Sequence, residues 1–244
     1  MWESLTSPSF INSSTGCSLK AERLHFSHQS SIMIKRRTFC SLALPLTLSA
    51  HTAARAQENF SEGKQYLAVS PRQPTKDQKQ VEVLEFFAYS CSHCNSFEPS
   101  LEAWLKKLPR DVLFRRIPVA FREDFVIHQQ LYFALEGLGL VEKLHGKVFH
   151  AIHSEKQRLA TTADIAAFAA KNGVDGKRLV ETMNSFSVAG KVKQATALAE
   201  GYKIEGTPSL GVDGRWLTSG SLAGTNPRSL LVVDHLIALA KKAR

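Results

Sequence analysis

Val81-Glu82-Val83-Leu84-Glu85-Phe86-Phe87-Ala88-Tyr89-Ser90-Cys91-Ser92-His93-Cys94 is the stretch on which the reading of this 244-residue chain turns. From Val81 to Tyr89 it is rich in β-branched and aromatic residues and almost continuously apolar, the pattern of a strand covered on both faces. Beyond Cys94 the apolar positions fall at Phe97, Leu101, Trp104, Leu105 and Leu108. Spacings of three and four predict a one-sided helix, which Pro99 is expected to kink near its start. Val112 to Val119 then reads as a second core strand. Strand, helix, strand is the parallel βαβ unit of an α/β fold.

Working outward, Gln65 to Ser70 reads as a short edge strand, followed by the polar, proline-containing connection Pro71 to Asp77. Downstream, residues 120–201 carry helical clusters: Leu131, Phe133, Ala134, Leu135 and Leu138; Val141, Leu144, Val148, Phe149 and Ile152; Ile165, Phe168 and Ala169. Thr161-Thr162-Ala163-Asp164 reads as a capped helix start and Asn172-Gly173 as a helix end. A block of about 80 residues is too long for a loop, so a helical domain inserted into the βαβ framework is expected. Strand character returns at Thr207 to Val212, and Asp213-Gly214 before Arg215-Trp216-Leu217 predicts a hairpin. The last helix, Pro227 to Lys242, carries Leu230, Leu231, Val233, Leu236, Ile237 and Leu239. Asp234 and His235 interrupt it, and it is too short for a membrane span.

The N-terminus reads as an address. Lys35-Arg36-Arg37 after Met33, a mostly apolar stretch from Thr38 to Ala50, and Ala54-Arg55-Ala56 form the basic, apolar and small-x-small regions of a secretory signal peptide. Arg36-Arg37-Thr38-Phe39 fits a twin-arginine signal as well as an ordinary secretory one, and both routes lead out of the cytoplasm. Residues 1–32 are Ser-rich and aperiodic, so translation is expected to start at Met33. Signal residues 33–56 then leave a mature chain of segments 57–119, 120–201 (the helical insertion) and 202–244. Cys17 and Cys40 are lost, and Cys91 and Cys94 remain as one pair in an oxidising compartment.

A hydrophobic fraction of 43% and a charged fraction of 22% are those of an ordinary soluble protein. Of 31 basic and 22 acidic residues, six and two precede residue 57, so 25 and 20 belong to the mature chain. This mild excess lacks any Lys/Arg run with interleaved aromatics, and nucleic-acid binding is set aside.

A Cys-x-x-Cys pair at a strand-to-helix junction has a specific chemical use. Free backbone N–H groups and the positive end of the helix dipole favour an anion there, lowering the pKa of Cys91 and making it a nucleophile or leaving group. Cys94, one turn on, is expected to be more buried. Two cysteines are also half a zinc site, but no second pair survives in the mature chain; His93 lies inside the motif, and a Cys2His2 site would need distant histidines such as His150 and His153, which share a helix face. A structural disulfide closing so small a loop adds little stability by the chain-entropy argument. Redox chemistry is the favoured reading, with a metal-binding thiol module as the alternative of another class.

Glu85-Phe86-Phe87 before Cys91-x-His93-Cys94, then Phe97-Glu98, and later Gly206-Thr207-Pro208, resemble the DsbA family of periplasmic disulfide oxidases. The likeness extends from Gly63-Lys64-Gln65-Tyr66 to the C-terminal helix. It implies a thioredoxin fold with an inserted helical domain and a thiol:disulfide oxidoreductase that donates its Cys91–Cys94 disulfide to newly exported, unfolded proteins with free thiols. In this family pattern Cys91 is the exposed, substrate-bonding cysteine and Cys94 the resolving one, with His93 beside them. Pro208 is a cis-proline opposite the disulfide, and Thr207 offers backbone groups to an extended substrate. Glu85 is a buried acid beneath the site that influences proton transfer at Cys94, and Arg116 stands where a basic residue occurs on the neighbouring strand. The resemblance further implies a DsbB-type, quinone-linked membrane oxidase as partner, no cofactor of its own, a periplasmic location and no need for more than a monomer. Ser92-His93 departs from the usual Pro-His: Ser92 lacks proline's fixed φ and adds a hydroxyl and an N–H. The runner-up activity is disulfide isomerase or reductase, although about 24 residues before Val81 are too few for the dimerisation domain of such isomerases.

The targeting reading has a direct check. N-terminal sequencing of protein purified from its host is expected to begin at Gln57; a mature product that retains residues 1–32 contradicts it.

Overall fold

Five strands form one mixed sheet in the computed structural model, which describes residues 59–244. They are β1 (Leu67–Ala68), β2 (Val81–Phe87), β3 (Val112–Pro118), β4 (Ser209–Val212) and β5 (Trp216–Ser219), in the order β1-β5-β4-β2-β3. The signal-peptide, Met33 and Cys17/Cys40 expectations lie outside the described residues.

Central β2 runs parallel to β3 and antiparallel to β4, and all seven of its residues are buried. Its near-continuous apolarity is what a strand between two layers requires. Val81 and Val83 pack with Phe97 and Leu101 of α1 (Ser92–Leu105) and with Leu230, Val233 and Leu236 of α8 (Asn226–Lys242). Leu84 and Phe86 join the other core cluster, made with the inserted helices. A 3-10 turn at Glu123–Phe125 leads into these: α2 (Val126–Gly137), α3 (Val141–His153), α4 (Thr162–Lys171), α5 (Gly176–Met183) and α6 (Phe186–Gly201). The fold is therefore a thioredoxin fold with a helical domain inserted between β3 and β4. A short α7 (Gly220–Ala223), with no counterpart in the sequence reading, links β5 to α8. No helix among the described residues is long and apolar enough to cross a membrane.

Local chemistry sets most boundaries. Thr161 and Asp164 form a capping box at the start of α4, and Gly173, at φ +69°, follows its end. α1 continues through Pro99. The edge strand is shorter than Gln65–Ser70, with only Leu67 and Ala68 paired to β5. The β4–β5 turn is longer by one residue than the sequence reading, because Val212 pairs with Trp216 and leaves Arg215 in the loop.

Asp213 and Gly214 both have positive φ, +53° and +70°. The turn is cemented by burial of Asp213, whose carboxylate meets Arg72 at 3.0 Å, Arg215 at 3.2 Å and Arg244 at 2.7 Å. A Cβ on Gly214 would overlap the Gln73 carbonyl, on top of the left-handed backbone. Gly214→Ala is therefore expected to lower unfolding stability by about 2 kcal/mol. Urea denaturation with an unchanged slope is the check; an unaltered midpoint contradicts this account of the turn.

Candidate active site

The buried end of β2 delivers the chain, through the turn Ala88-Tyr89-Ser90-Cys91 (Cys91 N–H donates to the Ala88 carbonyl at 3.0 Å), to the start of α1. Cys91 is the helix N-cap, with extended backbone at φ −87° and ψ 116°, and its Sγ accepts the Cys94 N–H at 3.4 Å. A sulfur thus fills the position where Ser, Thr or Asp usually caps a helix. Cys91 is partly exposed, whereas Cys94 is fully buried on the inner face of α1.

The two thiols are driven apart in acidity. Hydrogen bonding to the Cys94 thiol outweighs burial and, with the Thr207 side chain and the backbone N–H groups of Cys94 and His93, pulls Cys91 down to about 5. The Cys94 thiol is pushed well above its ordinary value by its hydrogen bond to Cys91, by burial and by the neighbouring negative charge. One turn of helix thus holds an exposed sulfur that ionises readily and a buried one that keeps its proton, the arrangement that thiol exchange calls for.

Across from Cys91, the Thr207–Pro208 peptide is cis and enters β4, and Cys91 Sγ lies 3.3 Å from the Thr207 carbonyl, a bond that only the protonated thiol donates. Cys91, Cys94, Thr207 and Pro208 therefore meet at one end of the sheet. Ser92 and His93 are exposed beside them; Ser92 is the first helical residue, and His93 lines a groove of about 820 Å³. The groove continues past Thr207 and Pro208 to Leu67, Leu217 and Leu222, with the short edge strand β1 as part of its wall.

Glu85 sits apart from this cluster, inside β2, in register with Arg116 on β3, and is completely buried. The Arg116 side chain, 10% exposed, meets Glu85 at 3.2 Å, Glu98 at 3.0 Å and Glu102 at 2.6 Å. The Glu85 contact lacks hydrogen-bond alignment, so neither carboxylate oxygen has a donor. Burial, reinforced by Glu98 and opposed by Arg116, raises Glu85 to about 8. Burial also works on Glu98, but the His145 hydrogen bond and the Arg116 charge overcome it and hold that carboxyl low. The strand arginine is thus an internal counter-ion.

Sequence reasoning missed Tyr89, Glu102 and His145 as parts of this network, and saw Glu98 only as part of a motif. The available signal was His145 itself, a polar residue on the apolar stripe of α3 between Leu144 and Val148. His150 and His153, weighed together as metal ligands, go to different partners. His150 is exposed beside Glu155 at 3.6 Å, and His153 bonds the Tyr89 carbonyl at 2.8 Å.

Comparison with known proteins agrees with this geometry. The family described as DSBA-like thioredoxin domain matches residues 115–228. The chain is 38% identical over 203 residues to the thiol:disulfide interchange protein DsbA of Burkholderia cepacia, covering 83% of this chain and 96% of that one. It is 40% identical over 206 residues to the protein of that name from Bordetella parapertussis, covering 84% and 98%. The crystal structure of Pseudomonas aeruginosa DsbA superposes with a TM-score of 0.73 at 36% identity, over 75% of this chain and 96% of that one. The oxidoreductase DsbA from Xylella fastidiosa gives 0.69 at 28% identity, covering 75% and 97%.

The buried acid yields a signed pH prediction. Glu85 takes up a proton on folding, so its contribution is complete below the unfolded value of 4.5 and is lost as pH rises through about 8. Glu85→Gln is expected to match the parent near pH 4.5 and to exceed its stability above pH 8 by roughly 1–3 kcal/mol. Chemical denaturation across that range decides; a Gln variant that is less stable at high pH contradicts the assigned direction.

Proposed function

The chain belongs to the DsbA family of thiol:disulfide interchange proteins, and from that premise we propose that it is a periplasmic oxidase donating its Cys91–Cys94 disulfide to newly exported proteins. The observation that carries the reading is the opposed acidity of the two thiols, about 5 at half-exposed Cys91 and well above the ordinary value at buried Cys94. A cysteine pair whose reduced form carries a stabilised thiolate gives up its disulfide readily when oxidised.

The steps follow from the exposure of the two sulfurs. A substrate thiolate attacks Cys91 Sγ, the Cys91–Cys94 bond breaks, and a mixed disulfide forms while Cys94 leaves and takes a proton. The second substrate thiolate attacks its own chain's sulfur in the mixed disulfide and expels Cys91 as thiolate. The substrate gains a disulfide, and the enzyme gains two electrons and one proton on Cys94. Glu85, protonated at neutral pH, is in this reading the buried acid that assists that proton transfer. Thr207 and Pro208 present backbone to an extended substrate in the manner of strand addition, and the adjoining groove receives its side chains. His93 and Ser92 border the Cys91 thiolate on the exposed side.

Export through a signal peptide at residues 33–56, cleaved after Ala56, by the general or twin-arginine route, brings the enzyme to its substrates. The working chain then comprises segments 57–119, 120–201 and 202–244. A DsbB-type quinone-linked membrane oxidase restores the disulfide.

Equilibration of the full chain with glutathione buffers tests the oxidase assignment. The expected potential lies far above the about −270 mV of thioredoxin, and a value near thioredoxin's overturns the assignment in favour of a reductant. Cys91→Ser is expected to abolish oxidation of a dithiol peptide. Cys94→Ser is expected to accumulate mixed disulfides on a non-reducing gel; their absence would reverse the assigned roles.

A further inference from the structure

One residue two positions before Cys91 is gripped at both ends by a single helix of the inserted domain. The Tyr89 hydroxyl lies 2.8 Å from His145 Nδ1, and the Tyr89 carbonyl lies 2.8 Å from His153 Nε2. Both histidines stand on α3. A carbonyl only accepts, so His153 donates from Nε2. The second nitrogen of His145, Nε2, faces Glu98 Oε1 at 3.3 Å. A carboxylate also only accepts, so Nε2 carries the proton. Burial lowers the His145 pKa and keeps the ring neutral, which leaves Nδ1 to accept from the phenol. Phe87, Tyr132 and Phe149 surround that ring with centroids at 5.2, 5.9 and 5.1 Å.

The two ends of this bridge lie on opposite sides of the nucleophile. Tyr89 belongs to the turn that enters Cys91, and Glu98 lies on α1, one turn beyond Cys94. Cys91 keeps its Sγ over the Cys94 N–H only while that turn and that helix hold their relative position. Tyr89 itself is buried and does not line the groove beside His93 and Thr207, so its part in the thiol chemistry is indirect.

We propose that His145 and His153 are positioning residues for Cys91, fixing Tyr89 so that the Cys91 sulfur stays seated on the α1 N-terminus. The inference rests on the oxidase reading, since its consequence is that the inserted helical domain sets the acidity and oxidising power of the active-site thiol.

The test uses the full chain and three variants. Tyr89→Phe removes only the hydroxyl, His153→Leu removes the donor to the Tyr89 carbonyl, and His153→Gln keeps an N–H donor at the same reach. Each protein is reduced, the Cys91 thiolate is titrated by its ultraviolet absorbance, and the thiol–disulfide equilibrium with glutathione is measured beside the thermal midpoint. Tyr89→Phe and His153→Leu are expected to raise the thiolate midpoint by roughly half a pH unit and to move the glutathione equilibrium several-fold toward the disulfide, with His153→Gln staying near the parent. A lowered thermal midpoint with unchanged thiolate titration and glutathione equilibrium in both variants reduces the histidines to structural residues and overturns the proposal. So does a His153→Gln variant that behaves like His153→Leu. Should His153→Leu fail to fold, Tyr89→Phe alone decides. A parent protein with a thioredoxin-like potential defeats the oxidase reading instead, and the comparison of thiolate midpoints still judges the clamp.

Discussion

The contact between Cys91 Sγ and the Cys94 N–H is the interaction on which the rest of the site depends. An N-cap acceptor satisfies one of the unpaired donors of a helix start, and a negative charge there also meets the helix dipole. Sulfur in that place joins helix capping to redox chemistry: whatever improves the cap also stabilises the thiolate. The Cys91 shift, from 9.0 to about 5, corresponds to roughly 1–3 kcal/mol at pH 7 after allowance for solvent screening. That is a large share of the net stability of an ordinary domain. The sheet exists, for this purpose, to place the exit of β2 and the cis-Pro208 loop on either side of that helix start.

Beneath this polar rim lies a charge cluster that does not line the groove beside His93 and Pro208. Arg116 faces three carboxylates, of which Glu85 is completely enclosed and lacks an aligned donor. Enclosing a charge without full hydrogen bonding is expensive, so neutralising the innermost carboxyl is the less costly solution. The result is one ionised acid, Glu98, held by Arg116 and His145, and one protonated acid, Glu85, on the strand that leads to the cysteines. Pairs of like groups pushed to opposite protonation states recur at sites that move protons.

The parts of this structure that could be read in the sequence are those fixed by near neighbours along the chain. β2 announces itself by near-continuous apolarity, β3 by the apolar residues on either side of Arg115-Arg116, α1 by its three-and-four spacing, the β4–β5 turn by Asp213-Gly214, and α4 by its capping box. The placement of the two cysteines was legible for the same reason, because the strand-to-helix junction and the spacing of two lie within one short stretch of chain. Arg116 was not, since its environment is made by Glu98 and Glu102 on α1 and by Glu85 on β2, and no local pattern distinguishes a buried arginine from a solvated one. His145 and His153 meet Tyr89 only because α3 returns over the end of the sheet. Sequence proximity had grouped His153 with His150, which faces away to Glu155. Arg215 was misplaced into β5 because the turn is lengthened by the ion pairs of Asp213, two of whose arginines come from distant parts of the chain.

If thiolate capping is the organising interaction, breaking the Cys91–Cys94 disulfide must stabilise this protein. The most direct measurement is urea unfolding of the oxidised and the fully reduced chain side by side across pH. Cys91 has a depressed folded pKa, so its contribution is complete above the unfolded value of 9.0, declines below it and disappears as pH falls through about 5. The account predicts that the reduced form unfolds at higher urea than the oxidised form at pH 7, with the gap closing toward pH 5. An oxidised form that is the more stable at pH 7, as an ordinary structural disulfide would make it, contradicts the account.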